Sequence, residues 1–74
     1  MGRMSVLFGN KNENLFWDVS VPEEVAAARL RFEEYIKKGY IACRIEKDGN
    51  RGVHIVDFDP KAEEIMLVLI LEGG

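Results

Sequence analysis

Ile65-Met66-Leu67-Val68-Leu69-Ile70-Leu71 is the stretch of this chain that decides its fold. An unbroken apolar run of this length is typical of a strand that is buried on both faces. At the edge of a sheet it would pair readily with other chains, so we expect a central strand. Alternation divides its side chains between two faces, with Met66, Val68 and Ile70 on one and Ile65, Leu67, Leu69 and Leu71 on the other.

Glu72, Gly73 and Gly74 follow this strand, and the sequence ends there. Two glycines leave a terminal carboxylate on a thin stalk that can enter a narrow channel, because no Cβ obstructs it. The alternative interpretation is an ordinary frayed chain end. In both cases we expect residues 72–74 to form a flexible tail.

Two hairpins are predicted upstream of the last strand. The first has strands at 5–8 and 15–19 around a polar turn at 9–14, and the second covers residues 40–58. Pro60 cannot serve the interior of a sheet, so the segment 59–64 is expected to form one helical turn begun by Asp59.

A helix is predicted between the hairpins. Ser20 and Glu23 have the spacing of a capping box, Pro22 falls in the first turn, and Gly39 is placed to end the helix in a left-handed conformation. Leu30 lies away from the apolar stripe and is expected to be exposed. The stripe that faces the core contains Val21, Val25, Ala28, Phe32 and Ile36.

These elements predict one α+β domain over residues 1–74, with a mixed sheet and one helix packed on one face. The helix can cover only that face, so Met66, Val68 and Ile70 are expected on the uncovered one. Exposed apolar residues of this kind usually mark a partner surface. The alternative is that neighbouring side chains partly bury them.

The order of hairpin, helix, hairpin and central last strand resembles the ubiquitin-like β-grasp fold. The segment from Met66 to Gly74 is similar to the final strand and Leu-x-Leu-x-Gly-Gly tail of ubiquitin. The segment from Phe58 to Gly74 also resembles the ends of bacterial β-grasp sulfur carriers, without the prolines that usually precede their tails.

The resemblance implies a protein modifier that is joined to targets by an isopeptide bond through Gly73 and Gly74. An E1-like activating enzyme would adenylate the Gly74 carboxylate, and a JAB-type peptidase is a further expected partner. The chain would be a substrate and not itself an enzyme, and it would need no cofactor. The alternatives are a sulfur carrier with a thiocarboxylate on Gly74 and a β-grasp interaction module that is never conjugated.

The resemblance also implies a surface for the activating partner. Val68 stands where ubiquitin has the valine of its hydrophobic recognition patch, and Phe8, near the hairpin turn, is a candidate second member. Ile70 and Glu72 replace basic residues of the ubiquitin tail. The activating enzyme should therefore recognise an aliphatic and an acidic residue ahead of the two glycines. The expected partner-binding residues are Phe8, Met66, Val68, Ile70, Leu71 and Glu72.

Cys43 and His54 are the only cysteine and the only histidine. One cysteine excludes an internal disulfide, and the sequence has no Cys/His cluster with metal-site spacing, so no metal is expected. Alternation puts Ile41, Cys43 and Ile45 on one strand face, and we expect Cys43 in the core as a small hydrophobe. A catalytic thiol would need His54 opposite it, which the sequence does not predict.

The composition limits the remaining classes of function. The net charge of −3 argues against nucleic acid as a partner. The apolar run 65–71 is too short to span a bilayer, and nothing resembles a signal peptide, so a cytoplasmic protein is expected. Four carboxylates, which we expect to form a solvated rim and not a cation site, are Asp57, Asp59, Glu63 and Glu64.

Overall fold

The sheet is mixed, and its strands lie in the order β2-β1-β5-β3-β4. The computed structural model describes residues 1–8, 11–45 and 52–69. The elements in these ranges are β1 (Gly2–Phe8), β2 (Lys11–Trp17), α1 (Pro22–Lys37), β3 (Tyr40–Ile45), β4 (Val53–Ile55) and β5 (Glu64–Leu69). The predicted α+β class, with one helix and the last strand at the centre of the sheet, is confirmed over these residues.

Strand β5 is central because both of its edges are paired. It runs parallel to β1 and antiparallel to β3. The hairpin pairs β1–β2 and β3–β4 then extend the sheet on either side. An apolar strand is best accommodated in this position, where neither of its backbone edges is left open to other chains. The assignment to the β-grasp family itself stays a prediction.

The core lies between α1 and one face of the sheet. Ala28 and Phe32 are the buried residues of the helix, as the predicted stripe requires. Phe58 lies between two core rings, with centroids 5.0 Å from Trp17 and 5.7 Å from Phe32. The buried cluster contains Met4, Val6, Trp17, Ala28, Phe32, Ala42, Ala62, Ile65 and Leu67.

The first hairpin is longer than predicted. Residues Lys11–Asn14 were expected in the turn, but they belong to β2 and pair with Phe8–Ser5 of β1. Their polar character suits β2 because it is an edge strand, where charged and polar side chains can face water and discourage further pairing. The strand ends at Trp17, so the expected extension to residue 19 is wrong.

The predicted capping box at the start of α1 is also wrong. Val21 is the N-cap residue and makes no side-chain capping bond. Ser20 instead donates its backbone N–H and its hydroxyl to Oδ1 of Asp18, at 2.9 and 2.7 Å, and the Asp18 N–H donates to Oε1 of Glu24 at 2.8 Å. The two bonds from Ser20, the backbone one first, hold the pKa of Asp18 below its ordinary value.

The end of α1 is as predicted, because Gly39 has a φ of 99° just beyond the helix. We expect Gly39→Ala to lower the free energy of unfolding by about 1 kcal/mol, since only glycine adopts this conformation without strain. A Cβ at this position would meet no atom within 4 Å, so no steric clash contributes. Urea unfolding would measure the change. Gly39→Asn is the control, and a loss as large as that of the alanine variant would contradict the explanation.

The segment that leads into β5 is a hydrogen-bonded turn and not the predicted helical turn. The Ala62 N–H donates to the Asp59 carbonyl at 3.1 Å, and the Lys61 N–H donates to Oδ1 of Asp59 at 3.0 Å. Asp59 therefore begins the turn, as expected. No helix continues from it, because Glu64 is already drawn into β5 opposite Arg3.

The carboxylate of Asp59 also accepts a hydrogen bond from Nη1 of Arg44 at 3.0 Å. We expect Asp59→Ala to lower the free energy of unfolding by about 1–2 kcal/mol, because the side-chain hydrogen bond from the Lys61 N–H and the ion pair with Arg44 are both lost. Thermal unfolding at two salt concentrations would measure this. Asp59→Asn should keep the hydrogen bond from the Lys61 N–H and lose only the ion pair with Arg44, which is the salt-sensitive part of the stability. A loss of stability as large as that of the alanine variant would show that the Lys61 bond contributes nothing.

Candidate functional site

The face of the sheet that α1 leaves uncovered carries three rows of side chains in direct cross-strand register. The row nearest the end of β5 is formed by Leu7, Val68 and Ile41, which we call the apolar row. Leu7 and Ile41 are both paired with Val68, from β1 and β3 respectively. Side chains in such positions lie about 5 Å apart and form a continuous surface.

The two faces of β5 differ as predicted over the described residues. Ile65 and Leu67 are fully buried under α1, whereas Met66 and Val68 are half-buried on the uncovered face. The prediction of partial burial and the prediction of a partner surface are therefore both compatible with their positions. The remaining predicted site residues, which lie outside the described part of the chain, are Ile70, Leu71, Glu72, Gly73 and Gly74.

Phe8 does not share this surface. It packs against the core cluster on the helix-covered face, because it lies two residues after Val6 on β1 and therefore shares the face of Val6. Leu7 is the β1 residue that joins Val68 on the uncovered face. The signal for this was present in the sequence: had β1 been extended back to Gly2, alternation would have placed Ser5 and Leu7 together, opposite Val6 and Phe8.

The middle row crosses all five strands, and its members are Asn14, Ser5, Met66, Cys43 and His54. Ser5 is buried and donates its hydroxyl to Oδ1 of Asn14 at 2.9 Å. Next to Ser5 the row changes character, because Met66, Cys43 and His54 carry sulfur and imidazole groups. The sequence alone does not predict that these three residues are adjacent.

The expectation that Cys43 lies in the core is wrong. Ala42 is the fully buried residue of β3, and Cys43 is half-buried on the other face. Both neighbours of Ala42 across the sheet, Leu67 and Ile55, belong to the helix-covered side. The register also pairs Cys43 directly with His54.

The third row carries charge. Arg3 is in register with Phe16 and Glu64, and its Nη2 lies 2.6 Å from Oε2 of Glu64. Because Asp59 is bonded to Arg44 and Glu64 to Arg3, these carboxylates already have cationic partners. Over residues 1–8, 11–45 and 52–69 there is no group of three or more His, Cys, Asp or Glu residues that could hold a metal ion.

The described helix, α1, is neither long nor apolar enough to cross a membrane. Comparison with protein-family models, with curated proteins and with solved structures gave no match.

Proposed function

We propose that the protein is a ubiquitin-like modifier with a β-grasp fold that acts in the cytoplasm. Its Gly74 carboxylate, encoded as a chain end or exposed by processing, is activated by an E1-like enzyme and joined to lysines of target proteins. The observation that carries the proposal is the central position of β5, which places an apolar row on the uncovered face and leads in sequence to Gly73 and Gly74.

Strand β5 holds the residues that precede such a tail in a fixed position. It is paired with β1 from Glu64 to Val68 and with β3 from Glu64 to Leu69, so its backbone is held on both edges. Gly74 follows Leu69 by five positions. Five residues span at most about 17 Å when fully extended, which is enough to reach an active site next to a docked partner.

The proposed chemistry uses the carboxylate as the reacting group and leaves catalysis to the partner. A carboxylate oxygen of Gly74 attacks the α-phosphate of ATP, and pyrophosphate leaves. A cysteine thiol of the enzyme attacks the acyl-adenylate, loses its proton and releases AMP. A target lysine amine then attacks the thioester, which yields the isopeptide bond and regenerates the thiol.

The apolar row supplies a surface on which the partner can dock while the tail reacts. Ile41 is the most exposed of its three residues, with 36% of its surface accessible. Val68 and Leu7 are half-buried beside it, so a partner side chain could contact all three at once. Apolar clusters of this type are the usual centres of protein interfaces.

Conjugation can be tested directly with the chain expressed in its own cells. Met1 is exposed at the start of the chain and can carry an affinity tag through a short linker. Cleavage after glutamate would cut behind Glu72 and leave Gly-Gly on target lysines, whereas trypsin would cut no nearer than Lys61. The matched control is a variant that lacks Gly73 and Gly74.

We expect adducts that resist denaturant and reductant, with Gly-Gly on lysine, from the intact chain alone. Equal adducts from the shortened control would contradict a role for the tail. A product in which sulfur replaces one oxygen of Gly74, without lysine adducts, would identify a sulfur carrier instead. Full cellular function of the shortened chain would rule out both and leave the interaction module.

The interaction module has one observation in its favour. A groove of about 480 Å³ is lined by residues of α1 together with Val19 and Pro60. Its lining includes Leu30, which is 61% exposed as the sequence predicted, and Val19, which is 48% exposed. A subunit of a larger assembly would bury such side chains against a neighbour.

A further inference from the structure

Three side chains with metal-donor atoms are adjacent on the uncovered face. Cys43 of β3 is paired with His54 of β4 on one side and with Met66 of β5 on the other. Residues in direct register point to the same face, with Cβ atoms about 5 Å apart. The thiol therefore lies between an imidazole and a thioether, each within reach of a shared ion.

This group is open to solvent. His54 is exposed, and Cys43 and Met66 are half-buried, whereas Ala42 and Leu67, which alternate with them, are fully buried under α1. Gly52 keeps space beside the thiol, because a Cβ at that position would lie 3.0 Å from Cβ of Cys43. An ion could reach the three donors without any movement of the helix.

We propose that Cys43, His54 and Met66 bind one Cu(I) ion. Thiolate and thioether sulfur are soft ligands that select Cu(I), and imidazole also suits copper. A structural zinc site normally needs four nitrogen, sulfur or carboxylate ligands. Within the described residues no group of three His, Cys, Asp or Glu is placed to hold a metal ion, and a thioether does not complete a zinc set.

Binding is a ligand exchange without a redox step. The thiol of Cys43 loses its proton to solvent, its sulfur bonds to copper, and the metal stays in the +1 state, so affinity should rise with pH. On β3 the row is flanked by the apolar residues Ile41 and Ile45, and on β5 it is flanked by Val68 and by Glu64, whose carboxylate is already paired with Arg3. No residue of the tail takes part in the site, so the proposal of copper binding does not depend on the proposal of conjugation.

The test is an anaerobic titration of the reduced, full-length chain with Cu(I) held by the chromophoric chelator bicinchoninate. We expect the chain to remove one equivalent of Cu(I) from the chelator. Cys43→Ser should abolish this, and His54→Gln and Met66→Leu should each weaken binding by roughly tenfold or more. Met4→Leu is the matched control, because Met4 is buried on the opposite face and should leave binding unchanged.

A second readout does not depend on any variant folding. Ag(I), a redox-inert stand-in for Cu(I), should shift the NMR signals of the His54 ring and the Met66 methyl group together, in slow or intermediate exchange, up to one equivalent. Three results would overturn the proposal: movement of neither signal, undiminished binding in both the His54→Gln and Met66→Leu variants, or displacement of Cu(I) by equimolar Zn(II).

Discussion

Replacing Trp17 with alanine is expected to lower the free energy of unfolding by about 3–5 kcal/mol, the range for truncation of a large buried aromatic residue. Trp17 is fully buried at the end of β2, and its ring packs edge-on against Phe58. Gly2 lies against the same ring, since a Cβ on Gly2 would overlap the indole. Small domains have total stabilities near the lower end of about 5–15 kcal/mol, so most of the margin should be lost.

A polar contact adds to the loss. The indole N–H of Trp17 donates to the Pro60 carbonyl at 2.9 Å and so fastens β2 to the turn before β5. Trp17→Phe keeps an aromatic ring but leaves that part-buried carbonyl without its donor. We expect it to cost about 1–3 kcal/mol, which is less than alanine costs.

Urea unfolding followed by far-UV circular dichroism would measure both variants, because Trp17 is the only tryptophan and its fluorescence disappears with it. Phe16→Ala is the matched control. Phe16 is the preceding residue, on the other face of β2, and is 58% exposed. Phe16→Ala should lower the free energy of unfolding by well under half of the amount that Trp17→Ala does. Equal losses at the two positions would contradict the assignment of the core to the helix-covered face.

Replacing Ile41 with glutamate is expected to slow activation of the chain by its E1-like partner by about 10–100-fold. This prediction rests on the proposed function. Ile41 is the accessible member of the apolar row, and its register opposite Val68 puts the new charge next to the central residue of the docking surface. Disruption of one residue at the centre of an interface typically costs about 2 kcal/mol or more of binding free energy, which corresponds to a change of this size in rate or affinity.

ATP-dependent formation of the enzyme thioester would report the effect at several concentrations of the chain. Leu30→Glu is the matched control, because Leu30 is an exposed apolar residue on α1, away from the row. It should leave activation unchanged, and thermal unfolding should show that both variants are folded. Slowing by Leu30→Glu with normal activation of Ile41→Glu would move the docking surface from the sheet to the helix.

Much of the architecture could be predicted because strong local signals agree with one another. The two-sided apolar run 65–69 demands neighbours on both edges, and β5 has them. Pro22 and Gly39 delimit the helix by backbone preferences that tertiary contacts do not override. Two of the errors at element boundaries, at Lys11–Asn14 and at Ser20, concern polar residues. Such residues form turns, edge strands or caps with similar ease, so their neighbours in space decide among these.

The uncovered face shows the same limit at the level of single side chains. Alternation correctly grouped Ile41 with Cys43, and Met66 with Val68. It could not tell which face of β3 the helix would cover, so Cys43 was assigned to the core that Ala42 occupies. The prediction that Phe8 belongs to the docking surface is wrong for a related reason: a strand that begins at Ser5 is too short to show that Leu7 and Phe8 lie on opposite faces.

The sequence by itself determined the α+β class, the order of the elements, the helix between Pro22 and Gly39 and the central position of the last strand. These follow from apolar periodicity and backbone preferences, which are local properties of the chain. Only the tertiary structure decided that Leu7, Val68 and Ile41 form one row and that Cys43 lies between His54 and Met66. Both depend on the register between strands distant in sequence, and a shift of one residue would send every side chain of a strand to the opposite face.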